Sequence, residues 1–137
     1  MKISPNAPCP CHSGEKYKKC CQPYHKGILA SNALKLMRSR YSAFAMELGE
    51  YVIRTTHPNN SDYSCETALW EKSILDFSRN NEFSGLKIIE FIEGEEVAYV
   101  TFQAILSEGS FTEKSRFLKV DTQWLYESGA FTETDFR

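Results

Sequence analysis

Cys9, Cys11, Cys20 and Cys21 follow one another as C-x-C-x8-C-C and account for four of the five cysteines in the chain. Thiols so grouped form either a disulfide staple or a tetrahedral metal site, whereas a catalytic nucleophile needs only one. Zinc bound by thiolates asks for four soft ligands at the corners of a tetrahedron. Two close pairs separated by a loop can supply them, each pair fixing one edge. Pro10 and Gly14 bring the turn chemistry that such a loop requires. The adjacent pair Cys20-Cys21 is the demanding part, because neighbouring side chains point apart in an extended chain and must be turned together.

Redox compartment chooses between the two. Residues 1–8 (MKISPNAP) contain no apolar stretch of the kind that marks a secretory leader. No segment approaches the roughly 18 apolar residues of a membrane span. A cytoplasmic, reducing setting is therefore expected, and there the spacing reads as metal rather than disulfide. His12 and His25 are read as surface histidines rather than replacement ligands, and Cys65 as a lone residue without a role.

The run CPCHSGEKYKKCC resembles the SEC-C motif, a short zinc-binding module also found at the C-terminal end of the preprotein translocase ATPase. The resemblance implies that Cys9, Cys11, Cys20 and Cys21 are the ligands of one Zn²⁺. Four cysteine ligands close the coordination sphere and leave no place for water, so the metal is expected to be structural. The chain departs from the motif at His12, where the family usually has glycine. A position needing φ > 0 there would be strained by a side chain.

The 137 residues, 42% hydrophobic and 13% aromatic, can bury an ordinary core. The formal net charge of −2 conceals an asymmetry. Residues 1–40 carry eight Lys/Arg against one acid, and residues 41–137 carry eight against seventeen. A basic knuckle on an acidic body points to an anionic partner such as RNA, a ribosome or an acidic protein patch. The competing explanation is that Lys16, Lys18 and Lys19 merely offset a negative metal–thiolate cluster. Tyr17 and Tyr24 are the knuckle's candidate stacking surfaces.

Past Pro23–Ala30 the pattern becomes helical. Ser31 is the expected N-cap of a helix reaching about Leu48 and stopped by Gly49, with Leu34, Met37, Tyr41, Phe44 and Leu48 as its apolar stripe. A short helix over Tyr51–Thr56 should end before Pro58, and a third should run from Glu66 to Arg79. The second half alternates as strands: Leu86–Ile92, Val97–Leu106, Phe111–Val120 and Trp124–Tyr126. Helices followed by an antiparallel meander is an α+β order.

LMRSRYSAFAMELGEYVIRTTHP (Leu36–Pro58) and SRFLKVDTQWLY (Ser115–Tyr126) resemble the YchJ family of bacterial proteins. That resemblance implies two units: a SEC-C zinc-binding motif over residues 1–28, and over 29–137 a domain like nuclear transport factor 2. The latter is a cone in which a bent antiparallel sheet wraps around about three helices. Many relatives carry a second SEC-C motif near the C-terminus, and this chain has no cysteine after Cys65.

Two classes of function follow. In the first, a non-enzymatic protein docks onto a macromolecule through its knuckle, while the cone holds a small anionic ligand or forms a homodimer. There, Arg38, Arg40 and Arg116 would grip the anion against Tyr41, Phe117 and Trp124. In the second, an isomerase- or dehydratase-type enzyme would use His57, Glu90 or Asp76 inside the cone. Against the arginine clamp stands a plainer reading, in which Arg38 and Arg40 lay their stems beside the stripe and pair with acids of the sheet.

Overall fold

The computed structural model describes residues 2–135. A 3-10 turn, Tyr17–Lys19, and the four-residue helix α1, Gln22–His25, complete the knuckle. Helices α2 (Ala33–Ala45), α3 (Gly49–Arg54) and α4 (Thr67–Arg79) follow. Strands β1 (Phe83–Ile92), β2 (Val97–Leu106), β3 (Gly109–Val120) and β4 (Gln123–Asp135) then form one antiparallel sheet in chain order. The α+β order is the expected one.

The sheet bends where its register slips. One extra residue, Ile89, falls between Ile88 and Glu90 on β1, and another, Glu127, falls on β4 opposite Arg116 and Phe117. An extra residue on one strand tightens the local twist. The concave face, carrying Ala98, Val100, Phe102 and Phe117, closes on Leu36 and Met37 of α2. Phe117 is fully buried, a contribution of about 2–3 kcal/mol from the area it removes from water. The end of α3 is laced to β4 by Tyr126 N–H to Thr55 C=O (2.9 Å) and His57 N–H to Tyr126 C=O (2.8 Å).

Helix α2 is the hub. Eight of its thirteen residues are buried, including Ser39, Ser42 and Ala43 on the side away from the sheet. The apolar stripe therefore shows only half of its burial: small and polar side chains make the other contact, with the knuckle and α3. Asn32, not Ser31, is the N-cap, its Oδ1 accepting from Lys35 N–H at 2.8 Å. The helix stops at Ala45 because Glu47 takes a left-handed φ of 62°, and Gly49 opens α3 instead of terminating α2. β4 also runs well past the three residues expected of it, pairing along β3 as far as Asp135 opposite Ser110.

Candidate metal centre

A miniature hairpin builds the first thiol pair. Pro8 and Lys16 form an antiparallel bridge, and Cys9 N–H donates to Glu15 C=O at 2.8 Å. His12 N–H then donates to Cys9 C=O at 3.0 Å, folding the chain back between Cys9 and Cys11. The reversal places His12 at φ 62° and Gly14 at φ 90°, so the departure at His12 does fall on a left-handed position. Its ring is used nonetheless: Nε2 lies 2.9 Å from Phe83 C=O, and the edge meets Tyr41 with centroids 5.9 Å apart.

The second pair comes from the junction of two helical turns. Cys20 leaves the 3-10 turn at φ −126°, ψ −94°, and Cys21 enters α1 at φ −88°, ψ −20°. That break in dihedrals brings adjacent side chains to one side, with their Sγ atoms 3.9 Å apart. All four sulfurs lie within 4.8 Å of one another. Sulfurs about 2.3 Å from a tetrahedral centre would be about 3.8 Å apart. The cluster therefore fits a metal ion, and its all-sulfur donor set suits zinc.

The surroundings support negative sulfur. Arg38 reaches into the knuckle, its Nη1 donating to Cys11 C=O at 3.1 Å and approaching Cys11 Sγ at 3.6 Å. Ser13 Oγ sits 3.2 Å from Cys20 Sγ. Hydrogen bonds from Cys21 and Cys9 hold the Cys11 thiol well below its usual range. A hydrogen bond to Cys21 brings Cys20 down to about 7. Cys9 and Cys21 are pushed up, chiefly by hydrogen bonding to Cys11, Cys9 to about 12. Hydrogen bonding among the sulfurs thus favours negative charge within the cluster, and a divalent cation would draw off the remaining protons. Cys9, Cys11 and Cys21 are buried, while Cys20 is half-buried and Cys65 lies exposed.

His25 is not a surface residue. Its Nε2 is 2.8 Å from Ser39 C=O, which can only accept, so Nε2 carries the proton. Nδ1 therefore accepts from the Tyr17 hydroxyl at 2.6 Å. The ring edge packs on Tyr51 with centroids 4.8 Å apart, and burial pushes the imidazole pKa down, keeping it neutral. This relay welds the knuckle to α2 and α3. It also buries Tyr17, which cannot stack on a base.

The other expected site residues are scattered. Arg40 is buried in the cone, where Nη1 donates to Val52 C=O (3.0 Å), Thr55 Oγ1 (2.7 Å) and Thr56 Oγ1 (3.1 Å), with its Cζ 4.6 Å from the Tyr126 ring centroid. Arg38 is at the sulfurs. Arg116 lies on the outer face of the sheet with Glu127 (3.1 Å) and Tyr99. The three arginines therefore form no common clamp, and no ion pair with a sheet acid involves Arg38 or Arg40 among the described residues. Tyr41 is buried with its hydroxyl on Gly85 C=O at 2.8 Å. His57 Nδ1 accepts from Asn59 N–H in the loop after α3. Asp76 is exposed and paired with Lys72, and Glu90 is exposed on β1.

The acid inside the cone is Glu113, which the sequence reading passed over. Its Oε2 accepts from Ser115 Oγ (2.6 Å) and Tyr126 Oη (2.7 Å). Burial raises its pKa, opposed by those hydrogen bonds and by the Arg40 charge. The signal was present: in β3, Phe111, Glu113, Ser115 and Phe117 share one parity, and its two aromatics mark that parity as inward.

A thiolate-cluster knuckle joined to a bent-sheet cone defines the class of protein, and the comparisons agree with it. A family model described as YchJ, middle NTF2-like domain, matches residues 32–129, and one described as SEC-C motif matches residues 6–23. A UPF0225 protein of Streptomyces coelicolor is 37% identical over 133 residues, covering 94% of this chain and 99% of the relative. A UPF0225 protein of Serratia proteamaculans is 37% identical over 131 residues, covering 88% and 81%. The solution structure of a SEC-C motif protein from Rhodopseudomonas palustris superposes with a TM-score of 0.77 at 27% identity, covering 90% of this chain and 98% of that one. The chain belongs to the YchJ family. Among the described residues no helix is long and apolar enough to cross a membrane.

Proposed function

We propose that this is a non-catalytic docking protein, in which one structural Zn²⁺ held by Cys9, Cys11, Cys20 and Cys21 fixes a lysine-rich face for an acidic protein partner. One observation carries the reading. Lys16, Lys18 and Lys19 are exposed, and among the described residues none of them joins an ion pair. Arg38, not these lysines, approaches the sulfurs, so balancing the cluster does not account for the lysine face. Ile28 and Leu29, just beyond the knuckle, are exposed at 63% and 48%. Apolar anchors beside charge suit a protein interface better than a phosphate backbone. Tyr17 is buried and Tyr24 is half-buried against the core, so sequence-tolerant base stacking has little support.

The zinc assignment is tested by elemental analysis of protein purified without chelator, which should give one zinc per chain. The docking reading is tested by nuclease-treated affinity capture with the wild type and two variants, Lys16→Glu/Lys18→Glu/Lys19→Glu and Ile28→Ser/Leu29→Ser. A partner kept by the wild type and lost by both variants is expected. Retention that disappears with nuclease would assign the face to RNA instead.

A further inference from the structure

Between the start of α2 and the β1–β2 turn lies a cleft of about 650 Å³, with none of the knuckle cysteines in its lining. That volume falls within the range of about 300–1,000 Å³ usual for small-ligand sites. Its wall is divided by chemistry. Phe91, Ala98 and Trp124 give an apolar floor, and the β1–β2 turn brings Glu93 and Glu95 to one rim. Asn32 and Ala33, at the start of α2, and Lys119 of β3 also line it.

The donors there are unspent. Trp124 lines the cleft and is 5% exposed, and its indole N–H, which has no acceptor among the described residues, is not one of the buried unpartnered atoms and so stays open to solvent. At the head of α2, Asn32 satisfies Lys35 N–H with its side chain and Leu36 N–H with its carbonyl. The N–H groups of Ala33 and Leu34 lie before any possible intrahelical acceptor, at the positive end of the helix dipole. Lys119 adds a full charge, its Nζ 5.7 Å from the Trp124 ring centroid. A simple anion would be drawn to these donors but repelled by Glu93 and Glu95. A simple cation would meet the opposite conflict.

We infer that the cleft binds a small zwitterion of the α-amino-acid type with an apolar side chain. Its carboxylate takes the Trp124, α2 and Lys119 donors, its ammonium takes Glu93 and Glu95, and its side chain rests on Phe91. This inference is independent of the zinc knuckle and its partner. The test is titration of the zinc-loaded, ¹⁵N-labelled full chain with L-phenylalanine, L-phenylalaninamide and N-acetyl-L-phenylalanine. The Trp124 indole cross-peak is followed, the Trp70 peak (assigned with Trp70→Phe) serving as control. L-Phenylalanine should shift the Trp124 peak saturably at up to about 10 mM, with the other two compounds at least about tenfold weaker. Glu93→Gln/Glu95→Gln should weaken the amino acid and leave the acetylated compound unchanged. Equal binding of either blocked compound, an equal response at Trp70, or no shift with any probe would overturn the inference.

Discussion

Replacing Arg40 with methionine probes how a buried charge is tolerated in the cone. The guanidinium is pulled from 12.5 down to about 10, first by desolvation, so the fold carries it charged at a cost of about 3 kcal/mol. Its hydrogen-bond acceptors survive its loss. Val52 C=O keeps the Thr56 hydroxyl at 2.6 Å, and the Thr55 hydroxyl keeps Tyr51 C=O at 2.7 Å. Methionine fills most of the volume, so the exposed weakness is Glu113, left without its nearby cation. Removing one member of a buried charged set costs about 3–5 kcal/mol, and relief of the Arg40 burden puts Arg40→Met at the low end. At about 4 °C per kcal/mol, that is roughly 12 °C in Tm.

The sign follows from proton linkage. Glu113 has a raised folded pKa, so the native state holds its proton more tightly than the unfolded chain. Stability is full below the unfolded value near 4.5 and falls as pH rises through the folded pKa. Losing Arg40 raises that pKa further, so the deficit of Arg40→Met should grow with pH and shrink toward acid. Arg40→Met/Glu113→Gln should recover most of it, because glutamine still accepts from Ser115 and Tyr126 without a charge. Thermal melts of the four proteins with zinc at pH 6 and pH 8.5 measure this, since the knuckle's own titration is common to all of them. A pH-independent deficit, or no rescue by Glu113→Gln, would refute the reasoning.

Other expectations are briefer. Stripping the metal with a high-affinity chelator should cost α2 its amide protection, because Cys9, Cys11, Tyr17 and Cys21 pack in the same core as Met37 and Tyr41; persistent protection of Leu36–Ala43 in hydrogen exchange would contradict the coupling. His12→Gly should stay within about 0.5 kcal/mol of wild type, the relieved φ strain offsetting the lost bond to Phe83, while His12→Val should lose about 2–3 kcal/mol in denaturant titration. Gly129→Ala should cost about 2–3 kcal/mol by thermal melt, since a Cβ there would sit 2.1 Å from the buried Glu113 Oε2.

Patterns that repeat along the chain were readable in advance. Strand alternation gave the meander, and the spacing of four thiols pointed to the cluster that folding brings within 4.8 Å. What stayed hidden depended on partners distant in sequence. Arg38 and Arg40 stand two residues apart on one helix, yet one serves the sulfurs and the other the cone, because α2 is enclosed on both sides. His25 looked superficial because its acceptor, Ser39, is a backbone carbonyl, which leaves no trace in residue type. The end of α2 was misplaced by one turn because glutamate, not glycine, takes the left-handed position.

The hairpin and turn that gather the four thiols use contacts within the chain's first few turns, whereas Arg38 and the relay through His25 reach them from later sequence. Closing so short a loop costs little entropy compared with joining α2 to strands more than fifty residues downstream. On a ribosome, the thiols emerge before the sheet is synthesised and can gather without it. A metal ion bound there would then act as a template, and its supply during synthesis would bear on how much of the chain reaches its native state.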